Sequence, residues 1–206
     1  MKFPKKIKAV LLDVDGVLID SLEMWYIMFC KFMLAMGKKP WSKIRFRSVA
    51  GEWFFYLLKG YPEAEADKLK KEGVKMIFKN YIRLEYHAKI FPDTKKTLVA
   101  LRKKGFKLAT VTNTQKILST HTLRRMGLLK YFDVSIFRED VKRIKPKPDM
   151  LLLAVKKLRV KKNEVIFIGD MRSDRAAAKA AGIYFIGRGT TGNKRIEKLP
   201  EILSLI

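Results

Sequence analysis

The sequence contains a single cysteine, Cys30. A disulfide framework and a cysteine-based zinc site each need more than one cysteine, so both are excluded, and a reducing compartment is favoured. The chain also lacks any run of about 18 apolar residues, which excludes a membrane-spanning helix. Its apolar run at 9–12 is too short for the hydrophobic region of a signal peptide. We therefore expect a soluble, cytoplasmic protein with no membrane partner.

Acidic residues are also scarce, because 20 Asp and Glu stand against 45 Lys and Arg, and the formal net charge is +25. Such a balance can indicate a nucleic-acid-binding protein, since Lys and Arg neutralise phosphates. Here the basic residues are spread over every segment, and neither a zinc-finger spacing nor an RNA-recognition motif accompanies them. We therefore expect a lysine-rich surface with no specific nucleic-acid partner and only weak, salt-dependent binding.

The chain has enough apolar residues for a core, at 48% of 206 residues, and its length allows one domain with a large insertion or two small ones. From residue 91 onward, strand-like and helix-like segments alternate, ending in a helix predicted at 196–203. Strands are predicted at five places: 7–14, 107–112, 134–137, 165–168 and 183–186. This alternation predicts the α/β class, with a Rossmann-like parallel sheet covered by helices on both faces.

Residues 20–88 lack the alternation. Helices are predicted there at about 21–36 and 62–87, and residues 41–61 between them are aromatic and irregular. We therefore expect a core domain formed by 1–19 and 89–206, with a helical cap domain at 20–88 inserted after the first strand.

Polar residues follow four of the predicted strands, in the order Asp13 and Asp15, Thr112 and Asn113, Lys145, and finally Asp170 and Asp174. In a parallel sheet the carboxyl ends of the strands meet at one edge, where active sites lie. Three of these carboxylates, Asp13, Asp15 and Asp170, would repel each other at that edge without a cation, and oxygen ligands suit Mg²⁺. A lysine with hydroxyl and amide donors beside that cation would bind phosphate oxygens.

Four motifs carry these residues: DVDGV (13–17), TVTN (110–113), KPKPD (145–149) and GDMRSD (169–174). With these four motifs in this order, the chain resembles the haloacid dehalogenase superfamily, and in particular its phosphoglycolate phosphatase-like members with a helical cap. The resemblance implies a Mg²⁺-dependent phosphatase that hydrolyses small phosphorylated metabolites through an aspartyl-phosphate intermediate. We also expect a monomer.

The resemblance implies a role for each residue in catalysis. Asp13 would be the nucleophile that attacks phosphorus. Asp15 would protonate the leaving oxygen and then deprotonate the attacking water. Thr112 and the backbone N–H of Asn113 would hold the non-transferring phosphate oxygens, and Lys145 would stabilise the negative charge. Thr112 also fits the simpler interpretation of a β-forming residue at a strand end.

The resemblance implies that Mg²⁺ is held by Asp13, the backbone carbonyl of Asp15, and Asp170. Asp174 would orient Lys145 or a metal-bound water. Asp174 could instead only complement a helix dipole. A second lysine, Lys147, competes with Lys145 for the phosphate role, although as a point charge in a loop it is better interpreted as solvated.

Departures within the family favour one chemistry. Dehalogenases and phosphonate-cleaving members have a non-acidic residue where this chain has Asp15, so phosphate-ester chemistry is favoured. β-Phosphoglucomutase-like sugar-phosphate mutases share the first motif, but they carry a histidine where this chain has Trp25. A mutase therefore stays as an alternative, and so does a catalytically silent, basic nucleic-acid-binding protein on the same fold.

The cap offers two candidate substrate contacts, Arg45 and Arg47, in a mixed basic and aromatic segment that runs to Gly51 and Trp53. In cap-bearing relatives a loop around such a glycine closes over the leaving group. Either arginine could contact an anionic substrate tail, and a solvated arginine is the simpler alternative.

Overall fold

The computed structural model describes residues 2–50 and 53–206. The chain divides into two compact units, Met1–Asp20 with Ile90–Ile206 and Ser21–Lys89. We refer to them as the sheet unit and the helical unit. In the part of the chain that the structure describes, no helix is both long enough and apolar enough to cross a membrane.

The sheet unit opens with the strands β1 (Ala9–Leu12) and β2 (Ile19–Asp20). All four residues of β1 are fully buried. A strand that is covered on both faces takes this uninterrupted apolar sequence rather than an alternating one.

The helical unit contains α1 (Leu22–Ala35), α2 (Lys43–Arg47), α3 (Trp53–Leu58) and α4 (Glu63–Leu84). Its core is aromatic, and the rings of Phe29 and Phe46 lie 4.9 Å apart. The interpretation of 41–61 as irregular was wrong at α2 and α3. The start of α2 is fixed by a short-range contact, because the Ser42 hydroxyl accepts the Arg45 N–H at 3.3 Å.

The remaining elements alternate between strand and helix as the sequence predicted, except that β8 follows β7 directly. They are β3 (Lys89–Ile90), α5 (Thr94–Lys103), β4 (Lys107–Val111), α6 (Lys116–Arg125), β5 (Val134–Ile136), α7 (Asp149–Leu158), β6 (Val165–Gly169), α8 (Arg172–Ala181), β7 (Tyr184–Arg188) and β8 (Lys194–Ile196). Six of the strands form one sheet in the order β5-β4-β1-β6-β7-β8, and every neighbouring pair is parallel. The predicted α/β fold with a parallel sheet is confirmed.

The strand order determines where a site can form. After β1 the chain adds β4 and β5 on one side, and it then crosses to add β6, β7 and β8 on the other. The carboxyl ends of β4, β1 and β6 are therefore neighbours, at the point where the strand order reverses.

The C-terminal prediction was partly wrong. Instead of a helix at 196–203, the structure has the edge strand β8 followed by a 3₁₀ helix at Leu199–Ser204. Two of the three residues of β8, Lys194 and Arg195, are exposed. A strand this short and polar carries no apolar alternation that would identify it in the sequence.

Candidate functional site

Asp13 follows β1 and remains tied to the sheet, because its N–H donates to the Ile168 carbonyl at 2.9 Å. Asp13 as a whole residue is 6% exposed. Oδ1 accepts the Val14 N–H at 2.8 Å and lies 3.0 Å from the Lys145 ammonium. Burial raises the pKa of Asp13 well above its ordinary value, and the negative charge of Asp174 adds to this, while Lys145 opposes it.

Lys145 is the cation at the centre of the site. Its buried Nζ donates to the Val111 carbonyl at 2.9 Å and forms ion pairs with Asp13 Oδ1 at 3.0 Å and Asp174 Oδ1 at 2.7 Å. Burial alone would lower the pKa of Lys145, but the two carboxylates raise it above its ordinary value. Lys145 is therefore charged at neutral pH. Lys147, the competing lysine, is exposed.

The side chain of Asn113 holds the backbone of Lys145 from both sides. Asn113 Nδ2 donates to the Lys145 carbonyl at 3.0 Å, and the Lys145 N–H donates to Asn113 Oδ1 at 3.1 Å. The amide of Asn113 therefore positions the lysine, which leaves the Asn113 backbone N–H as the group it can offer to a phosphate.

Asp174 connects the start of α8 to Lys145. Its Oδ2 accepts the Met171 N–H at 3.1 Å, while Oδ1 faces the ammonium. The two interpretations of Asp174 from the sequence are thus compatible, because one oxygen satisfies the helix start and the other pairs with the lysine. A Cβ at Gly169 would lie 2.5 Å from the Cβ of Asp174, so only glycine allows this approach.

Asp170 follows β6 and packs on the loop after β1. Gly16 has a φ of +75°, and a Cβ there would lie 2.1 Å from Asp170 Oδ2. Burial raises the pKa of Asp170 to about 8, the negative charges of Asp174 and Asp15 add to this, and Lys145 opposes it. Among the residues that the structure describes, the buried Oδ1 of Asp170 has no hydrogen-bond partner.

Three carboxylates in this site are close enough to share one cation. Oxygen atoms of Asp13, Asp170 and Asp174 all lie within 4.8 Å of one another. Hard oxygen ligands of this kind suit Mg²⁺. The unpartnered Asp170 oxygen and the raised pKa values both indicate that the single lysine does not fully compensate the cluster, so these residues fit a divalent cation. The predicted ligands Asp13 and Asp170 are brought together.

Asp15 lies in the loop after β1, where it forms an isolated bridge with Ile19. Its Oδ2 accepts a hydrogen bond from the Thr114 hydroxyl at 3.1 Å. Thr112 follows β4 and is 2% exposed. The hydroxyl oxygen of Thr112 accepts the Thr114 N–H at 3.1 Å, so its own proton can be donated to an anion.

The two cap arginines belong to the helical unit. Arg45 lies over the ring of Trp41, at 4.3 Å from the ring centre, and both Arg45 and Arg47 are exposed. Gly51, around which a closing loop was predicted, lies outside the described residues. Trp25 is half-buried in the same unit and meets Tyr81 edge-to-face at 6.0 Å.

Sequence reasoning missed two residues of the sheet unit. Thr114 contacts Asp15 directly, and the only signal for it was a hydroxyl one residue after TVTN. Arg188, at the end of β7, donates to the Val17 carbonyl, lies 3.9 Å from the centre of the Phe91 ring and is 3.7 Å from Asp93. In the sequence, Arg188 is indicated by an apolar strand that ends on a charged residue.

Known proteins resemble this chain along most of its length. The family model for haloacid dehalogenase-like hydrolases matches residues 10–188. A phosphoglycolate phosphatase of Nitrosospira multiformis is 30% identical over 190 residues, which cover 89% of this chain and 84% of that protein.

Solved structures also superpose on most of this chain. A Bacteroides fragilis protein described as a haloacid dehalogenase-like hydrolase superposes with a TM-score of 0.86 at 27% identity, covering 96% of this chain and all of that one. A Thermotoga maritima protein described as a β-phosphoglucomutase superposes with a TM-score of 0.70 at 28% identity, covering 97% of this chain and 98% of that one.

Proposed function

This chain belongs to the haloacid dehalogenase-like hydrolase family, and from that premise we propose that it hydrolyses small phosphate monoesters with Mg²⁺ through an aspartyl-phosphate intermediate. It is a phosphatase of this family, while its metal, its intermediate and its substrate are the proposal. The observation that carries the proposal is the buried contact of Asp13 with Lys145 at the carboxyl edge of the sheet, beside Asp170 and Asp174.

The first step is attack by Asp13. Oδ1 of this carboxylate is held by the Val14 N–H and by Lys145, so Oδ2 is the atom that forms the bond to phosphorus. As this bond forms, the bond from phosphorus to the ester oxygen breaks, and the leaving oxygen takes the proton of Asp15. Lys145 orients the nucleophile and compensates its charge, and both side chains are buried.

The second step releases the product. A water molecule gives a proton to Asp15 and attacks phosphorus, and the bond between phosphorus and Asp13 Oδ2 breaks, which restores both carboxyl groups. During both steps the hydroxyl of Thr112 and the backbone N–H of Asn113 hold the oxygens that are not transferred.

Asp13 and Asp170, with the backbone carbonyl of Asp15, would hold Mg²⁺. Bound there, the ion would act as a Lewis acid on the phosphoryl oxygens. Asp174 pairs with Lys145 and keeps the ammonium directed at Asp13, so we assign it a positioning role.

The substrate class we propose is small anionic phosphate esters such as phosphoglycolate, which the likeness to the Nitrosospira enzyme supports. Arg45 and Arg47 remain our candidates for contacts with the substrate tail. The likeness to the Thermotoga protein makes a sugar-phosphate mutase the second candidate, and Trp25 in place of the mutase histidine argues against it.

The experiment follows phosphorus by NMR, using the purified protein with Mg²⁺ and either phosphoglycolate or a hexose monophosphate, with and without a bisphosphate primer. We expect inorganic phosphate as the product, its loss in excess chelator and its return with Mg²⁺. Asp13→Asn should abolish turnover, because the amide cannot act as the nucleophile. Isomerised hexose phosphate that forms faster than inorganic phosphate would assign a mutase instead, and full activity in chelator would contradict the metal.

A further inference from the structure

Thr114 is a buried residue that connects two loops of the site. It is 8% exposed and follows the TVTN motif. Its hydroxyl donates to Asp15 Oδ2, and its N–H donates to the hydroxyl oxygen of Thr112, each at 3.1 Å. Its carbonyl accepts the Arg138 N–H at 3.4 Å, which ties the loop to the segment after β5. One residue therefore touches both the proposed proton donor and the proposed phosphate-binding hydroxyl.

Asp15 needs such a support because of where it lies. Asp13 is anchored to the sheet through its backbone, whereas Asp15 lies beyond the end of β1, in the loop that bridges to Ile19. A carboxyl group can rotate about its side-chain bonds, and proton transfer requires an oxygen within hydrogen-bond reach of the leaving group. The hydrogen bond from the Thr114 hydroxyl restricts that rotation.

We propose that Thr114 positions Asp15 for proton transfer. By holding Oδ2, the Thr114 hydroxyl fixes the orientation in which the Asp15 carboxyl group gives a proton to the leaving group and later accepts one from water. Thr114 acts through Asp15 and does not itself touch the substrate. This inference rests on the proposed phosphatase mechanism, in which Asp15 is the acid and base.

A purely structural role for Thr114 makes a different prediction. A loop contact that only stabilises the fold would change activity on every substrate by the same factor. A positioning residue for the acid matters most when the leaving group needs a proton, as an alkoxide does, and least for an activated aryl phosphate, whose leaving group departs without one.

The experiment compares variants of the full chain on an alkyl phosphate and on 4-nitrophenyl phosphate. Thr114→Val removes the hydroxyl and keeps the shape, while Thr114→Ser keeps the hydroxyl. Thr110→Val is the control, because its buried hydroxyl lies on the preceding strand and finds no hydrogen-bond partner among the described residues. Asp15→Asn provides the reference for loss of the acid.

We expect Thr114→Val to lower kcat about tenfold to a hundredfold on the alkyl phosphate, a part of the roughly 10²–10⁴-fold effect of a general acid. On 4-nitrophenyl phosphate the loss should be about threefold or less, with KM unchanged, and Thr114→Ser should restore the alkyl rate. Adding Thr114→Val to Asp15→Asn should cost nothing more, because both changes act on the same step. Thr114→Ala replaces Thr114→Val if the latter does not fold.

Several outcomes would overturn the inference. If Asp15→Asn loses more on the alkyl phosphate but Thr114→Val loses equally on both substrates, the mechanism survives and Thr114 is only structural. If Thr114→Val is as active as the wild type on both substrates, the mechanism likewise survives and Thr114 does not position Asp15. If the wild type releases no phosphate, or Asp15→Asn shows no dependence on the leaving group, the proposed function itself fails and this inference fails with it.

Discussion

Replacing Lys145 by methionine tests the electrostatics of the site. The Lys145 side chain is 2% exposed, and its ammonium pairs with two buried carboxylates, Asp13 and Asp174. Methionine fills a similar volume but leaves both carboxylates buried without their partner. Breaking a buried ion pair on one side costs about 3–5 kcal/mol, because an uncompensated charge stays in the interior.

That cost converts into a measurable shift. For a chain of this length, 1 kcal/mol corresponds to about 2–4 °C in the melting temperature, so Lys145→Met should melt about 6–20 °C below wild type. The assay is urea and thermal unfolding followed by circular dichroism, in chelator at neutral pH. Saturating Mg²⁺ should restore part of the loss, because the ion supplies positive charge to the cluster in place of the ammonium.

Lys147→Met is the matched control. Lys147 lies two residues away and is exposed, so its replacement should change the free energy of unfolding by about 0.5 kcal/mol or less and leave phosphate release intact. If Lys145→Met loses less than about 1 kcal/mol, or no more than Lys147→Met, the reasoning about the buried cluster is refuted.

Three further predictions concern the same edge of the sheet. Gly16→Ala should cost about 1–2 kcal/mol of stability because of its positive φ, and it should also weaken Mg²⁺ binding, since the new Cβ displaces Asp170. A variant with the same urea midpoint and the same Mg²⁺ affinity as the wild type would contradict this. In chelator, Asp170 keeps in the folded state a proton that the unfolded chain releases near its ordinary value of 3.8, so stability should fall as pH rises from about 4 to about 8. Asp170→Asn should flatten this dependence of the free energy of unfolding on pH. A metal-free protein that gains stability from pH 5 to 8 through Asp170 would contradict the prediction. Thr110→Val should leave the free energy of unfolding unchanged or raise it, because it removes a buried hydroxyl without a partner; a loss above about 1 kcal/mol would show an unseen hydrogen bond.

The sequence was sufficient to predict that the candidate residues would lie close together, and topology explains why. Asp13, Lys145 and Asp170 are far apart in the chain, but each follows a strand, and parallel strands bring their carboxyl ends to one edge. Their proximity therefore follows from strand order and not from local sequence. The roles assigned to these residues stay predictions until they are tested by mutation.

The contacts of single side chains could not be predicted in this way. The sequence shows that Thr114 follows Asn113, but only the folded loops bring its hydroxyl to Asp15. The pairing of Asp174 with Lys145 was expected from the resemblance, but its close approach to Gly169, where a Cβ would collide, is visible only in the fold. Such contacts depend on how loops from different strands pack, which no periodicity in the sequence encodes.

Errors in secondary structure have a related cause. The edge strand β8 has two exposed basic residues, and α2 is a five-residue helix that follows the N-cap Ser42. Each of these elements buries a single apolar residue, Phe46 in α2 and Ile196 in β8, which is too few for hydrophobic periodicity to identify it.

The covalent use of Asp13 is the central claim, and acid quenching during turnover tests it most directly. The Mg²⁺-loaded protein is mixed with an aryl phosphate, quenched within its first turnovers and digested, and the fragment that contains Asp13 is analysed by mass spectrometry. We predict that this fragment carries the added mass of one phosphoryl group on Asp13. In Asp13→Asn we expect neither the added mass nor phosphate release. A phosphoryl group on another residue, or phosphate release by Asp13→Asn at the wild-type rate, would contradict the account.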